Sequence, residues 1–389
     1  KMAEEGAKGP MPEWAGDYEM FHPELRECTA ALMERSWMRA PVKGEFLSLQ
    51  AGCACAIETL AFLLSDPGQA WITPSPTYFG FAYYIAKRTG TTCEFAITDE
   101  SDEWLPTEQS LNDAFERCET KGTAPRVLLL CNPMNPVGLP LPERVLAMCI
   151  DWARARGMHV VSDEIFGNSM FTGETMTSVA AFMHKRAPQE ERYLGDHVHI
   201  IGGFSKDFCI SGFRMGTIFS HNKDLLNAAA KQSTISGTGT AGQWNMLHLL
   251  RDPEWTDEYI QSNRARLTHT YEGIKAALEG VGARVVPAQG TQMIWVDMRA
   301  LMAEPSWENE QLLDEVLWNE CEVNSSAGSR LRAATPGWFR FCFSGPEGGE
   351  DGLAAVEEFG RRLQSAQERG LFPVGKRAAV GTTASAGDA

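Results

Sequence analysis

Three short apolar runs in the middle of the chain each end on side chains that can do chemistry. Val127 to Leu130 runs into Cys131-Asn132-Pro133-Met134-Asn135-Pro136-Val137-Gly138, where successive Asn-Pro turns fix side-chain amides. His159 to Val161 runs into Ser162-Asp163-Glu164-Ile165-Phe166 and presents a carboxylate. His197 to Ile201 runs into Gly202-Gly203-Phe204-Ser205-Lys206-Asp207, with Gly212-Phe213-Arg214 close behind, so an ammonium and a guanidinium lie near one another. A lysine amine can attack a carbonyl, a carboxylate can hold a proton on a ring nitrogen, and a guanidinium pairs with phosphate or carboxylate.

These residues meet only if the runs are neighbouring strands of one sheet. The apolar runs alternate with helical patterns: Cys53 to Leu64, closed by Ser65-Asp66-Pro67-Gly68, then Phe79 to Arg88 and Pro142 to Arg156. Trp71-Ile72, Cys93 to Ile97 and Met215 to Phe219 supply further strands. Short buried strands separated by helices predict an α/β domain with a mostly parallel sheet sandwiched by helices. In such a sheet ligands sit beyond the carboxyl ends of the strands, where these side chains fall. An N-terminal helix is expected from Pro23 to Met38. Beyond Trp255 the pattern changes to a long polar helix (Glu258 to Leu278), strands at Ala283 to Val286 and Met293 to Asp297, a helix near Asn309 to Glu322 and a strand at Trp338 to Phe343, a smaller α+β domain. The expected division is 1–40, a partly disordered segment touching the small domain or a partner; 41–250, the large domain; 251–365, the small domain; and 366–389, a disordered tail.

The chain has 389 residues, 43% of them hydrophobic, and a net charge of −16, the profile of a globular protein with a poor electrostatic grip on nucleic acid or anionic membrane. No apolar stretch approaches the roughly 20 residues that span a bilayer. The ten cysteines are scattered, with no CxxC pair and no histidine at metal spacing, so no metal site is expected and a reducing, cytoplasmic setting is. The first residue is Lys1 rather than methionine, which suggests a fragment or a processed product.

A carboxylate, an amide, a lysine and an arginine converging at one end of a sheet match what pyridoxal 5'-phosphate requires. The lysine forms the Schiff base, the carboxylate keeps the ring nitrogen protonated, and the arginine pairs with the phosphate. The backbone of Gly52, Cys53 and Ala54, opening a helix, suits the same phosphate. At these residues the sequence resembles the fold-type I pyridoxal-phosphate enzymes, specifically the class I/II aminotransferases and within them the 1-aminocyclopropane-1-carboxylate synthase-like branch. The motifs are Ser65-Asp66-Pro67-Gly68, Pro74-Ser75-Pro76-Thr77-Tyr78, Asn132 to Gly138, Ser162 to Ile165, Ser205-Lys206-Asp207 with Gly212-Phe213-Arg214, and Pro336-Gly337-Trp338-Phe339-Arg340-Phe341-Cys342-Phe343. They follow family order and spacing from about Gly16 to Phe359.

The resemblance implies that Lys206 carries the cofactor and moves the α-proton, that Asp163 pairs with the pyridine nitrogen, that Asn135 bonds the ring hydroxyl and that Tyr78 stacks on the ring. Arg214 and the Gly52 to Ala54 backbone would hold the cofactor's phosphate, with Tyr18 reaching the phosphate of a partner subunit in a homodimer, and Ser205 would also contact the cofactor. Arg340 would take the substrate α-carboxylate. Each residue also has a plainer reading: Asp163 as a helix N-cap, Asn135 as a turn former, Tyr78 as core, Arg340 as a satisfied buried charge. The sequence departs from the family at Phe166, where a tyrosine is usual, and at Gly203, where a phosphate-binding serine is usual. Losing the tyrosine hydroxyl should raise the Schiff-base pKa. The family's upstream segment that lines the substrate pocket is absent. The leading expectation is an aminotransferase passing an amino group from an α-amino acid to a 2-oxo acid. The alternatives are a lyase closing S-adenosylmethionine to 1-aminocyclopropane-1-carboxylate, and a catalytically silent protein of the same fold.

Overall fold

The computed structural model describes residues 21–173, 175–344 and 350–375. Its large sheet contains β1 (Leu47–Gln50), β2 (Gln69–Ser75), β3 (Thr92–Ile97), β4 (Ala124–Cys131), β5 (His159–Asp163), β6 (Val198–Gly203) and β7 (Gly216–Ser220) in the order β1-β7-β6-β5-β4-β2-β3. Only β7 runs against the others. Side chains alternate across a strand, and here both sets are buried. Val127 and Leu129 of β4 join one apolar cluster, Leu128 and Leu130 another. That is why the sequence shows continuous apolar runs instead of alternation.

The Val127 face is covered by α2 (Cys53–Leu64) and α3 (Gly80–Ala86), through Ile57, Leu60, Phe81 and Ile85. The other face is covered by α1 (Pro23–Met33), α4 (Glu108–Thr120), α5 (Glu143–Ala155) and α6 (Val179–Arg186), with Leu25, Leu111, Ile150 and Val179 among the contacts. Next come α7 (Lys223–Ser236) and α8 (Thr240–Leu250). The helix expected to reach Met38 narrows its claim: regular α geometry ends at Met33, and a wider π turn carries the chain from Glu34 to Met38. Ser36 Oγ donates to Leu32 O at 2.6 Å beside that change of pitch. The described part of segment 1–40 packs into the large core through Leu25, Met33 and Trp37, not onto the small sheet, because its apolar face matches the surface left by α8.

The long helix α9 (Pro253–Gly280) starts five residues before the expected Glu258: Pro253 suits a first turn, and Asp252 caps it by accepting Trp255 N–H at 3.0 Å. A second sheet of β8 (Arg284–Val285), β9 (Met293–Asp297), β10 (Ser326–Ala327) and β11 (Trp338–Cys342) is antiparallel in the order β10-β11-β9-β8. With α9, α10 (Trp307–Asn319) and α11 (Glu350–Glu368) it encloses a core of Leu267, Ile294, Leu313, Phe339, Phe341 and Leu363. The tail expected to be disordered from residue 366 is ordered as far as Gly375. Ala366 and Val374 are buried in this core, and Val374 exchanges backbone hydrogen bonds with Leu301 and Ala303 at 3.0 and 2.8 Å. The apolar Leu371-Phe372 and Val374 need that cover, which outweighs the polar composition around them. Residues 376–389 lie outside the described residues. Among the described residues, no helix is long and apolar enough to cross a membrane.

Candidate active site

The carboxyl ends of β4, β5 and β6 face the β9–β11 pair across a cavity of about 390 Å³. Cys53, Ala54, Tyr78, Asn135, Asp163, Ser205, Lys206, Arg214 and Arg340 all line it, so residues spread over most of the chain come together. Gly52 immediately precedes that lining, and Tyr18 lies outside the described residues.

Asp163 is the last residue of β5, and strand alternation sends it into the cavity while Glu164 turns the other way. Glu164 accepts from Ser162 Oγ, Ser178 Oγ and the Val179 N–H, fixing the start of α6. No helix begins at Asp163 itself, which disposes of the N-cap reading. Its carboxylate accepts the Ile165 N–H at 3.1 Å and is 5% exposed. Burial pushes its pKa up to about 7, against the opposing pull of that N–H and of the Lys206 charge.

Lys206 sits in the turn after β6. The next residue, Asp207, anchors that turn from below by accepting the Asn168 N–H at 3.2 Å and Ser169 Oγ at 2.7 Å. The Lys206 amine makes no hydrogen bond or ion pair with the described residues. The two Asn-Pro turns divide their work. Asn132 shapes the loop, donating to Thr177 O and accepting from Leu141 N, whereas Asn135 reaches the cavity.

Arg214 adopts left-handed backbone, with φ 54°, and donates to Ser211 O at 2.9 Å and Ala51 O at 3.1 Å. Its guanidinium lies against Gly52, where a Cβ would come within 2.5 Å of Nη2 and where φ is +86°. A glycine is required there on both counts. The first N–H groups of α2 have no side-chain cap, so the helix start and Arg214 together form an anion cradle.

Arg340 enters from β11. It donates to Asn135 Oδ1 at 3.3 Å and Ser326 Oγ at 3.1 Å, lies 5.5 Å from the centre of the Phe79 ring, and has no carboxylate partner among the described residues. Burial lowers its pKa from the ordinary value. Its bonds are to neutral groups, so its charge has no acidic counterpart among the described residues. Tyr78 is half-buried, its hydroxyl 3.3 Å from that of Tyr84 and its ionisation suppressed by burial. Phe166 lines the cavity with a bare ring.

Sequence reasoning missed Phe79, Tyr84, Ser211 and Met293, which also line the cavity. Phe79 and Tyr84 flank the Tyr78 motif and Ser211 the Gly212 motif, so their positions carried a signal. Met293 opens a strand in the other domain and carried none.

Pyridoxal phosphate fits this donor set. A buried carboxylate holds one backbone hydrogen bond and gains from a cationic ring N–H, an unpaired amine faces the same space, and an anion cradle stands at the α2 end.

The family model for aminotransferase class I and II matches residues 11–355. Among curated proteins, 1-aminocyclopropane-1-carboxylate synthase 2 of Solanum lycopersicum is 30% identical over 349 residues, 88% of this chain and 71% of the relative. The 1-aminocyclopropane-1-carboxylate synthase of Vigna radiata is 30% identical, covering 82% of this chain and 87% of the relative. Among solved structures, an aromatic aminotransferase from Pyrococcus horikoshii superposes with a TM-score of 0.76 at 19% identity, covering 95% of this chain and 90% of that one, a likeness of fold.

Proposed function

This chain belongs to the class I and II aminotransferase family, whose members depend on pyridoxal phosphate, and from that premise we propose that it acts on an α-amino acid with Lys206 as the attachment amine. What carries the reading is one cavity that holds Lys206 and Asp163 together with Arg340, a half-buried guanidinium without an acidic partner among the described residues.

When bound, the cofactor supplies an aldehyde that condenses with amines and a pyridine ring that draws electrons from the substrate α-carbon. The protein does the rest. Arg214 and the N–H groups opening α2 bind the phosphate. Asp163 would hold a proton on the ring nitrogen, and Asn135 and Tyr78, on the same cavity wall, would contact the ring. Arg340 would take the α-carboxylate in a bidentate pair and so hold the substrate in the cavity that Lys206 also lines. Lys206 Nζ would be the base that removes and returns the α-proton.

The cavity's cations among the described residues are thereby all assigned, and none of them remains for a second substrate carboxylate. The rest of the wall, including Phe79, Tyr84, Phe166 and Met293, suits a neutral or cationic side chain, because aromatic faces attract cations and a carboxylate there would be buried unpaired. We infer amino-group transfer to a 2-oxo acid as the reaction. The lyase reading, with S-adenosylmethionine as substrate, gains specific support from the curated relatives and is compatible with that wall. A homodimer is part of the proposal, with Phe62, Phe79 and Tyr83, each more than half exposed around α2 and α3, as its supporting face. The deciding assay incubates holoprotein with neutral amino acids and pyruvate, a 2-oxo acid without a second carboxylate, and separately with S-adenosylmethionine. A new 2-oxo acid supports transfer, and methylthioadenosine supports the lyase. Neither product would sink both.

A further inference from the structure

We propose that Gln292 is a positioning residue for Lys206, tying the turn that carries the amine to the strand pair that carries Arg340. Gln292 is 5% exposed, and its Nε2 donates to the Lys206 carbonyl at 2.9 Å. Its own carbonyl accepts the Phe343 N–H at 3.1 Å, extending by one rung the ladder in which Met293 faces Cys342 and Trp295 faces Arg340. A single residue therefore touches the backbone of Lys206 and closes the end of the Arg340 ladder.

The backbone before it is strained in the way this contact demands. Thr291 is fully buried and β-branched, yet has φ 73°. Such a residue in left-handed backbone persists only where its surroundings over-determine it. They do so from both sides. The N–H groups of Gln289 and Gly290 both donate to Gly138 O at 2.9 Å, in the loop that carries Asn135, while Thr291 Oγ1 accepts the Met293 N–H at 3.1 Å. The reversal at Thr291 turns the Gln292 amide onto the lysine turn. Within the turn the Lys206 carbonyl also accepts the Cys209 N–H at 3.4 Å and Ser211 Oγ donates to Ser205 O at 3.1 Å, while Asp207 ties the turn to Asn168, Ser169 and the Asn263 side chain. A buried amide needs a partner, and the Lys206 carbonyl is the one this amide has.

A shift of β11 would thus be felt at the lysine turn through the Gln292 hydrogen bond. The inference rests on the roles proposed for Lys206 and Arg340. The test uses holoenzyme in three forms: unaltered, Gln292→Met, which keeps the shape but has no donor, and Thr291→Gly, which relaxes the strain and leaves the amide in place. For each, the pH midpoint of the visible cofactor band, cofactor retention, kcat and KM are measured. Gln292→Met is expected to retain cofactor, to shift the midpoint, and to lower kcat by about 10- to 100-fold with a smaller change in KM, as for a displaced reacting group. Thr291→Gly should move the same midpoint in the same direction by less. If Gln292→Met keeps the unaltered midpoint and kcat, the proposal is overturned whatever its melting temperature. Should that variant fail to fold, an unchanged midpoint in Thr291→Gly overturns it equally. A visible band that survives Lys206→Ala would overturn the lysine assignment itself, a separate failure that takes this inference with it.

Discussion

Arg340 Nη1 donates to Asn135 Oδ1 at 3.3 Å, so the small sheet and the loop beyond β4 share one hydrogen bond at the mouth of the cavity. The bond holds the guanidinium in place with a neutral partner and leaves its charge uncompensated. Under the proposed function a substrate carboxylate would supply the missing charge.

Arg340→Ala is therefore expected to raise KM for the amino acid by roughly 10- to 100-fold, the equivalent of about 1.5–3 kcal/mol for a charged hydrogen-bonding pair. Arg340→Lys should recover only part of this, because an ammonium cannot make the bidentate pair. Steady-state kinetics over a range of substrate concentrations separates the two parameters. An unchanged KM in Arg340→Ala would remove the clamp.

The Lys206 amine has no partner among the described residues, so its loss should cost the fold little. Lys206→Ala is expected to abolish both the visible cofactor band and turnover while unfolding within about 0.5 kcal/mol of the unaltered protein, the range for a side chain without native contacts. Absorbance and urea titration on the same samples check both halves. A large loss of stability would mean that the amine has a structural duty.

Asp163 makes stability depend on pH with a definite sign. Its carboxyl has an ordinary value of 3.8 and is pushed up to about 7 in the fold. Between those values the folded cofactor-free protein binds a proton that the unfolded chain has released. Stability from this group is thus present at low pH and falls as pH rises through the window, by up to about 1.4 kcal/mol per pH unit. Glu164 and Asp207, also raised to about 7 by burial, add the same sign. Asp163→Asn should flatten the slope of cofactor-free protein between pH 5 and 7 by about one proton's worth. It should also stop turnover far more than it weakens cofactor retention. Urea titrations across that range test the slope, and parallel curves for the two proteins would refute the assignment.

The strand-end residues were legible because each sits where a short, doubly buried apolar run stops, as Asp163 does after Val160-Val161. Helix α2 was legible from the glycine before it and the Pro67-Gly68 after it. β1 was not: Leu47-Ser48-Leu49-Gln50 is four residues long, all buried, and its partner Phe219 is far along the chain. Gln292 was invisible for the same reason, since its meaning lies in a carbonyl 86 positions away. Local pattern reports burial and periodicity, whereas the approach of two domains is a property of the assembled core. The tail residues Leu371 to Val374 misled because composition was averaged over a polar stretch, while a few apolar side chains sufficed to dock it.

The glycine departure at residue 203 has a steric cause, and it yields the last prediction. Gly203 ends β6 opposite Gly216, and the start of α2 lies against this pair. A Cβ at Gly203 would stand 2.8 Å from Met215 O and 3.1 Å from Cys53 Sγ, and Cys53 occupies the space by donating to Gly202 O at 2.9 Å. Restoring the serine that the family resemblance leads one to expect should therefore not repair a phosphate contact. Gly203→Ser is expected to destabilise the fold by about 1–3 kcal/mol, as overpacking of a close-packed site does, and to loosen cofactor retention by pushing the α2 start off the sheet. Adding Cys53→Ala should recover only part of the loss, because the Met215 carbonyl belongs to the backbone and cannot move aside as a side chain can. Urea unfolding and dialysis retention of the single and double variants measure this. If Gly203→Ser alone were as stable as the parent and held cofactor more tightly, the strand end would have room for a hydroxyl, and the anion cradle would owe less to the closeness of α2 than these contacts imply.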